Sequence, residues 1–222
     1  SLLFAFVPEA FTVLFRGLPA FIVMVEFEEA TEAAVLKKLA ALKRALPPFR
    51  GTMRMLPSAR AAKKFLIIRR ESFNLLRHKV KGLSTAPFID DIVVKPAYLP
   101  QFLPELYAIL EKYGFLATVA GHVGEGNFHV IPLMKLSDEK ERAKIKPAMD
   151  EVYALVLRYH GSLTGEHNDG LVRSPYLKAM FGADMYALFE EVKQIFDSAH
   201  IFNPGKKVGA DLSYALAHLK RG

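Results

Sequence analysis

The chain has 222 residues, of which 51% are hydrophobic and 24% are charged, a balance typical of a folded globular protein. It carries a formal net charge of +7 and no cysteine, which excludes a disulfide framework, a thiolate zinc site and an iron–sulfur cluster within the chain. Its longest apolar runs fall well short of the roughly 20 residues that a membrane-spanning helix needs. The absence of cysteine fits a reducing cytoplasm.

Much of the positive charge lies between Arg60 and Lys81. The simpler interpretation is the solvated face of a long helix, and the alternative is a face that meets an anionic partner domain or ligand. No nucleic-acid motif with interleaved aromatic residues accompanies this charge, so we expect no nucleic-acid partner. The apolar start, Ser1 to Phe6, lacks the basic region and cleavage site of a signal peptide. Because the chain opens on serine, we expect the natural protein to extend further.

The spacing of apolar residues predicts strands and helices that alternate along the chain. In order, we predict a β-rich run at 20–26, a helix at 31–46, a short strand near 53–56, a helix at about 58–79, a strand at 88–94, a helix at 98–112, strands at 115–120 and 128–132, and helices at 139–159 and 183–199. Ser137 or Asp138 is expected to cap the helix at 139–159, and Pro147 to interrupt it. This pattern predicts an α+β fold of two ferredoxin-like halves, with a mostly antiparallel sheet covered by helices, in a single domain over residues 1–222.

The first chemical motif is the segment from Gly121 to His129, GHVGEGNFH. His122 and His129 stand seven residues apart, a separation that places side chains on opposite faces of an unbroken strand. The glycines between them permit a bulge or tight turn that can restore both imidazoles to one side. From the residues alone, metal ligands and ordinary polar side chains are equally good interpretations.

The second motif is the segment from Gly161 to Gly170, GSLTGEHNDG. Neighbouring side chains of an extended segment point in opposite directions, so Glu166 and His167 are expected to face different partners. Two histidines and one carboxylate commonly hold zinc, manganese or iron. His122, His129 and Glu166 would make that set and leave His167 as an acid–base group. The alternative is that Glu166 and His167 only cap a turn.

The two motifs, followed by NPGK at Asn203 to Lys206, occur in an order that resembles the C-terminal domain of the FAD-linked oxidase family. That family includes D-lactate, D-2-hydroxyglutarate and glycolate dehydrogenases, and the resemblance extends from near Phe21 to about Lys207. It implies oxidation of a small 2-hydroxy acid with FAD as cofactor. The family's glycine- and serine-rich FAD-phosphate loop has no counterpart here, so the FAD domain is expected N-terminal to Ser1.

The resemblance also implies roles for individual residues. It implies a divalent metal, zinc, manganese or iron, on His122, His129 and Glu166, with His167 as the candidate base. Arg69 best matches the family's substrate-carboxylate arginine, although Leu66 replaces the tryptophan of that segment, and Arg77 is the second candidate. Further implied roles are substrate or ligand orientation by Asn127 and cofactor binding by Asn203 and Lys206, where the chain returns toward the FAD domain. A plain turn is the alternative for the last two.

The chemistry of such an oxidation fits these residue types. A metal lowers the pKa of the substrate hydroxyl, a histidine accepts its proton, and an arginine holds the carboxylate. The flavin takes the hydride. The electron acceptor is left open among a quinone, an electron-transfer flavoprotein and an iron–sulfur partner, and the location is expected to be the cytoplasm or the periphery of the inner membrane. Two other classes remain as alternatives, a basic interaction module and a metal-dependent hydrolase that uses the same site.

Overall fold

The computed structural model describes residues 22–46, 53–56, 62–63, 65–67 and 82–219. The chain divides into two compact units, residues 1–75 and 76–222. The single domain expected for residues 1–222 therefore stays a prediction, as do the two ferredoxin-like halves. None of the helices in the described ranges combines the length and the apolar composition that crossing a membrane would require.

In the first unit, helix α1 spans Glu32–Ala45 and confirms the helix predicted there. Its N-cap is Thr31, whose hydroxyl oxygen accepts the backbone N–H of Ala34 at 3.3 Å. Residues 62–63 and 65–67 are helical, in agreement with the long helix predicted at 58–79. The remainder of that helix, with Arg69 and Arg77, lies outside the described residues.

Two strands predicted in the first unit are wrong over the residues that the structure describes. Residues 22–29 and 53–56 form no strand. Ile22 and Val25 are 67% and 53% exposed, so these β-branched side chains are not packed against a sheet face. A run of β-forming residues becomes a strand only when a neighbouring strand takes up its backbone hydrogen bonds.

The second unit contains a four-stranded antiparallel sheet, made of β1 (Ser84–Thr85), β2 (Ile92–Val93), β3 (Leu116–His122) and β4 (Asn127–Met134). Strand β4 is central. β3 pairs along one of its edges, from Leu116 opposite Leu133 to His122 opposite Asn127. β1 and β2 pair with opposite ends of β4, and because β3 occupies one edge they share the other.

Between β1 and β2 the chain leaves the sheet edge at residues 86–91 and returns at Ile92. The strand predicted at 88–94 is therefore shorter than expected, and only Ile92–Val93 pairs with β4. The extended conformation ends at Asp91, which has a left-handed backbone conformation with φ of 65° and cannot continue a strand. Tyr153 stabilises this turn, because its hydroxyl donates a hydrogen bond to the carbonyl of Phe88 at 2.6 Å.

Helices cover the sheet and complete the second unit. They are α2 (Leu99–Lys112), α3 (Glu139–Ala143), α4 (Ile145–Arg158), α5 (Gly170–Arg173), α6 (Leu177–Phe181), α7 (Ala183–Phe196) and α8 (Leu212–Ala217). The helix predicted at 139–159 is interrupted at Lys144, and Pro147 lies in the first turn of α4, where no intrahelical N–H is needed. Asp138 caps α3 through the N–H of Lys140.

The hydrophobic core lies between the sheet and helices α2 and α4. Fully buried members include Ile92 and Val130 from the sheet, Phe102 from α2, and Val152 and Val156 from α4. Each such side chain contributes about 1.5 to 3 kcal/mol by leaving water. The α+β class and the antiparallel sheet covered by helices are confirmed, and the sheet edge with its turn at 86–91 forms a rigid base for the site described next.

Candidate functional site

The β3–β4 hairpin brings the two histidines of the first motif to one face of the sheet. Ala120 pairs with His129 across the hairpin, and His122, two residues beyond Ala120, lies on the same face. The connection is a single 3-10 turn, Val123–Glu125, followed by Gly126. Gly126 has φ of 72°, and a Cβ there would lie 1.8 Å from the carbonyl oxygen of Val94. The tight turn predicted from the glycines is thus confirmed.

The second motif lies beside β2. Val93 and Ser162 exchange two backbone hydrogen bonds of 2.9 and 2.8 Å, which form an isolated antiparallel bridge. This bridge places the segment that leads to Glu166 and His167 beside the turn at 86–91. Gly165 packs tightly here, since a Cβ at this position would lie 2.6 Å from the amide nitrogen of Asn127 and 3.0 Å from a carboxylate oxygen of Asp91.

Asp91 organises the second motif. Its carboxylate is fully buried and accepts the backbone N–H groups of Gly165, Glu166 and His167 at 2.9 to 3.1 Å. It also accepts the side-chain amide of Asn127 at 3.0 Å. Burial raises the pKa of this carboxyl, but the three backbone donors and the Asn127 amide outweigh it and bring the pKa to about 2. The ionised carboxylate therefore fixes the course of the chain at Glu166.

This arrangement corrects one expectation. Glu166 and His167 were expected to point in opposite directions, as neighbours in an extended segment do. Instead, three consecutive N–H groups turn toward one carboxylate, which bends the backbone, and both side chains reach the same site. The imidazole Nε2 of His167 lies 3.4 Å from Oε1 of Glu166.

Three imidazoles meet at Glu166. Its Oε1 atom lies 3.0 Å from Nε2 of His129, 3.4 Å from Nε2 of His167 and 3.7 Å from Nε2 of His122. The rings of His129 and His167 stack at 4.7 Å with 16° between their planes, and the rings of His122 and His129 are 6.2 Å apart, edge to face. All four side chains named by the sequence motifs are thus brought together at one point.

The four side chains of the site differ in their exposure to solvent. His129 is 8% exposed, whereas the side chains of His122, Glu166 and His167 are each about half exposed, at 47%, 50% and 47%. One side of the site therefore rests on the sheet and the other is open. The half-exposed side chains of His122, Glu166 and His167 are accessible to solvent on this side.

Asp90 lies behind the histidines and was not singled out from the sequence. Its Oδ1 is 3.0 Å from Nδ1 of His129, and its Oδ2 is 3.3 Å from Nδ1 of His167. Like Asp91 it is buried. The sequence did offer one signal for Asp90, because two adjacent acidic residues follow the apolar Phe88 and Ile89. A carboxylate next to a core needs a hydrogen-bonding or charged partner.

Arg173 stabilises the turn that contains Asp90. It is 7% exposed, its Nη1 donates to the backbone carbonyl of Asp90 at 3.0 Å, and its Nη2 donates to the carbonyl of Asn168. The guanidinium thereby joins the two segments that supply Asp90 and His167. Its terminal nitrogens are occupied by backbone carbonyls, which favours a structural role over substrate binding.

The remaining predicted site residues have different surroundings. Asn127 is 6% exposed and its amide nitrogen donates to Asp91, and its role in orienting substrate or a ligand stays a prediction. Asn203 and Lys206 lie in an exposed turn, in which the N–H of Lys206 donates to the carbonyl of Asn203 at 3.3 Å. It is the neighbouring Lys207 whose amino group binds Asp169. Arg69 lies outside the described residues.

The chemistry of the donor set suits a divalent cation. Imidazole nitrogens and a carboxylate oxygen that converge are the ligands that zinc, manganese and iron take. An oxygen of Asp91 also lies within 4.8 Å of the donor atoms of His129, Glu166 and His167. Asp91 is nevertheless a poor ligand, because its oxygens already accept hydrogen bonds from three backbone N–H groups and one amide. The donor chemistry of His129 and Glu166 therefore fits a divalent cation, while His122, whose Nε2 lies 3.7 Å from Glu166, is outside the closest donor group and stays a predicted ligand.

Comparison with known proteins bears on the same residues. The family described as FAD linked oxidases, C-terminal domain, matches residues 9–207. The chain is 36% identical over 148 residues to a D-2-hydroxyglutarate dehydrogenase of Pseudomonas putida, in a region that covers 67% of the chain and 14% of that protein. It is 32% identical over 117 residues to a D-lactate dehydrogenase of Anaerostipes hadrus, covering 52% of the chain and 25% of the relative.

A third relative is glycolate oxidase subunit GlcD of Bacillus subtilis, 26% identical over 129 residues that cover 58% of the chain and 27% of the relative. The aligned regions amount to about a seventh to a quarter of the length of these relatives. The matched range includes both histidine motifs and the NPGK turn of this chain, and the resemblance inferred from those motifs is confirmed. The chain belongs to the FAD-linked oxidase family and comprises its C-terminal domain.

Proposed function

We propose that this chain is the substrate-binding half of a flavin-dependent dehydrogenase that oxidises a small 2-hydroxy acid to the 2-oxo acid. The observation that carries the proposal is the convergence of three imidazole Nε2 atoms on Oε1 of Glu166, at 3.0 to 3.7 Å. The names of the relatives support the substrate class, since they are dehydrogenases or oxidases of 2-hydroxyglutarate, lactate and glycolate. The matched family gives no support to a hydrolase or to a basic interaction module.

His122, His129 and Glu166 are the residues that would hold a divalent metal, which is zinc, manganese or iron. Such a cation lowers the pKa of a hydroxyl group and orients it. The donor set supports this assignment through its atom types and its convergence. The buried His129 anchors the set, and the more exposed His122 and Glu166 leave the open side to the substrate.

His167 is the proposed base and accepts the proton of the substrate hydroxyl at Nε2. This nitrogen points into the site, 3.4 Å from Oε1 of Glu166, and half of the side chain is exposed. Imidazole is suited to this step because it takes up and releases protons near neutral pH. Nδ1 faces Asp90 instead, so the two ring nitrogens have separate tasks.

Arg69 is the proposed partner of the substrate carboxylate, which a guanidinium can bind through two parallel hydrogen bonds. Asn127 would act through Asp91, and Asn203 and Lys206 would face the flavin domain from their exposed turn. FAD supplies the hydride acceptor and would be held mainly by a separate domain. The onward acceptor, a quinone, an electron-transfer flavoprotein or an iron–sulfur partner, and a location in the cytoplasm or at the inner membrane remain predictions.

The experiment is anaerobic bleaching of the flavin in the full-length protein by glycolate and by the D- and L-forms of lactate and 2-hydroxyglutarate. We expect one of these acids to bleach the flavin and its chemically matched 2-oxo acid to appear. Glu166→Gln should abolish bleaching, whereas His218→Gln, an exposed histidine outside the site, should not. Bleaching by none of the acids, or equal bleaching in Glu166→Gln, would contradict the proposed function.

A further inference from the structure

The two buried acids beside the site have different surroundings. Asp91 is surrounded by backbone donors, whereas both oxygens of Asp90 face imidazole nitrogens. One oxygen lies 3.0 Å from Nδ1 of His129 and the other 3.3 Å from Nδ1 of His167. A single carboxylate is thus shared by a proposed metal ligand and by the proposed base.

The stacked histidines lie between two carboxylates. Their Nδ1 atoms face Asp90, and their Nε2 atoms face Glu166 at 3.0 and 3.4 Å. A neutral imidazole carries its single N–H on one nitrogen and a lone pair on the other. A carboxylate only accepts hydrogen bonds, and it therefore favours the tautomer with the proton on the nitrogen that faces it.

Asp90 is itself held in place, so its carboxylate can fix the orientation of the imidazole rings of His129 and His167. Its backbone carbonyl accepts Nη1 of Arg173 at 3.0 Å, and its side chain is 12% exposed. The following residue, Asp91, is fixed by its own hydrogen bonds to the second motif. The side chain of Glu166 is half exposed and that of Asp90 is buried, so Asp90 is the more enclosed of the two carboxylates.

We propose that Asp90 is a positioning residue that holds His129 and His167 together in the Nδ1–H tautomer and so keeps both Nε2 lone pairs directed into the site. The tautomer assignment stands without a metal or a substrate. Its consequence for metal affinity rests on the proposed function. One carboxylate would then prepare a ligand and a base at once, and its loss would affect both.

The test begins with the wild-type 222-residue chain, by long-range proton–nitrogen NMR of its histidine side chains at alkaline pH, where an ordinary imidazole is neutral. His218 is an internal standard, because its Nδ1 lies 2.8 Å from the carbonyl oxygen of Tyr214 and must donate to it. We expect His129 and His167 to match this Nδ1–H pattern. The Nε2–H pattern at either residue overturns the proposal, and this measurement needs no variant.

The variant Asp90→Asn replaces one acceptor oxygen by an amide that donates. We expect one of the two histidines to change to the Nε2–H tautomer, while Asp90→Glu, which restores two acceptor oxygens, keeps the wild-type pattern. Asp184→Asn, the same change at an exposed aspartate, should leave both rings unaltered. Unchanged tautomers in Asp90→Asn would refute the role of Asp90.

A second readout is zinc affinity of the same variants, measured by competition with a coloured chelator. Loss of a carboxylate that orients a ligating histidine typically weakens metal binding about 10- to 100-fold, and we expect this for Asp90→Asn but not for Asp184→Asn. Equal zinc affinity in a wild-type chain that binds zinc and in Asp90→Asn would overturn the positioning role. A wild-type chain that binds no zinc would refute the metal site instead, and the tautomers would still decide the role of Asp90.

Discussion

Replacement of Asp91 by asparagine tests the link between the buried turn and the second motif. The folded protein holds the pKa of Asp91 at about 2, against an ordinary value of 3.8. At about 1.4 kcal/mol per pH unit, this difference corresponds to about 2.5 kcal/mol of folding stability at neutral pH. Asp91 is removed from solvent contact, so solvent screening reduces this order-of-magnitude figure only modestly. We expect Asp91→Asn to lower the free energy of unfolding by about 2 to 3 kcal/mol.

The pH dependence has a definite sign. Because the folded pKa lies below the ordinary value, the stabilisation is complete above 3.8 and is lost as the pH falls through about 2. The difference in the free energy of unfolding between wild type and Asp91→Asn should therefore shrink as the pH falls within this window. The difference between the two proteins should be constant from neutral pH down to about pH 5.

The assay is urea unfolding followed by circular dichroism, for wild type, Asp91→Asn and Asp184→Asn across this pH range. Asp184 is exposed, and the same chemical change there should cost less than about 1 kcal/mol. The reasoning is refuted if Asp91→Asn is as stable as Asp184→Asn at neutral pH. It is also refuted if the difference between wild type and Asp91→Asn grows as the pH is lowered.

Three further predictions concern the proposed reaction. Full-length His167→Asn should keep its flavin and its metal but reduce the flavin about 100-fold more slowly in anaerobic stopped-flow, and loss of the metal would make His167 a ligand instead. Arg69→Ala should lower kcat/KM by roughly 30- to 150-fold, the equivalent of about 2 to 3 kcal/mol, and an unchanged ratio would assign the substrate carboxylate to another residue such as Arg77. The 222-residue chain alone should purify colourless, and a yellow preparation with one flavin per chain would contradict the assignment of FAD to a separate domain.

Much of the site could be predicted from local sequence. The two glycines between His122 and His129 permit a tight turn that brings both rings to one face, and the structure has such a turn. The adjacent Glu166 and His167 could be assigned to the same site by motif order. The turn between the two histidines could be predicted because turn geometry depends on residues that are close in sequence.

The support of the site could not be predicted in the same way. Asp91 is about 75 residues from the backbone N–H groups that it binds, and Asp90 is similarly distant in sequence from the imidazole of His167. No spacing rule joins such distant positions. The bend at Glu166 follows from Asp91 and not from its own neighbours, which is why an extended segment was expected there. The strand predicted at 88–94 is shortened for the same reason, since Asp91 gives up the extended conformation to reach the second motif.

The most direct test of the proposed site is elemental analysis of the full-length protein for zinc, manganese and iron. Wild type and His218→Ala, a change at an exposed histidine outside the site, should each contain close to one equivalent of the same metal. His129→Ala removes the buried imidazole that lies 3.0 Å from Glu166 and should lose most of that metal. Equal metal content in wild type and His129→Ala would contradict a metal centre at His122, His129 and Glu166.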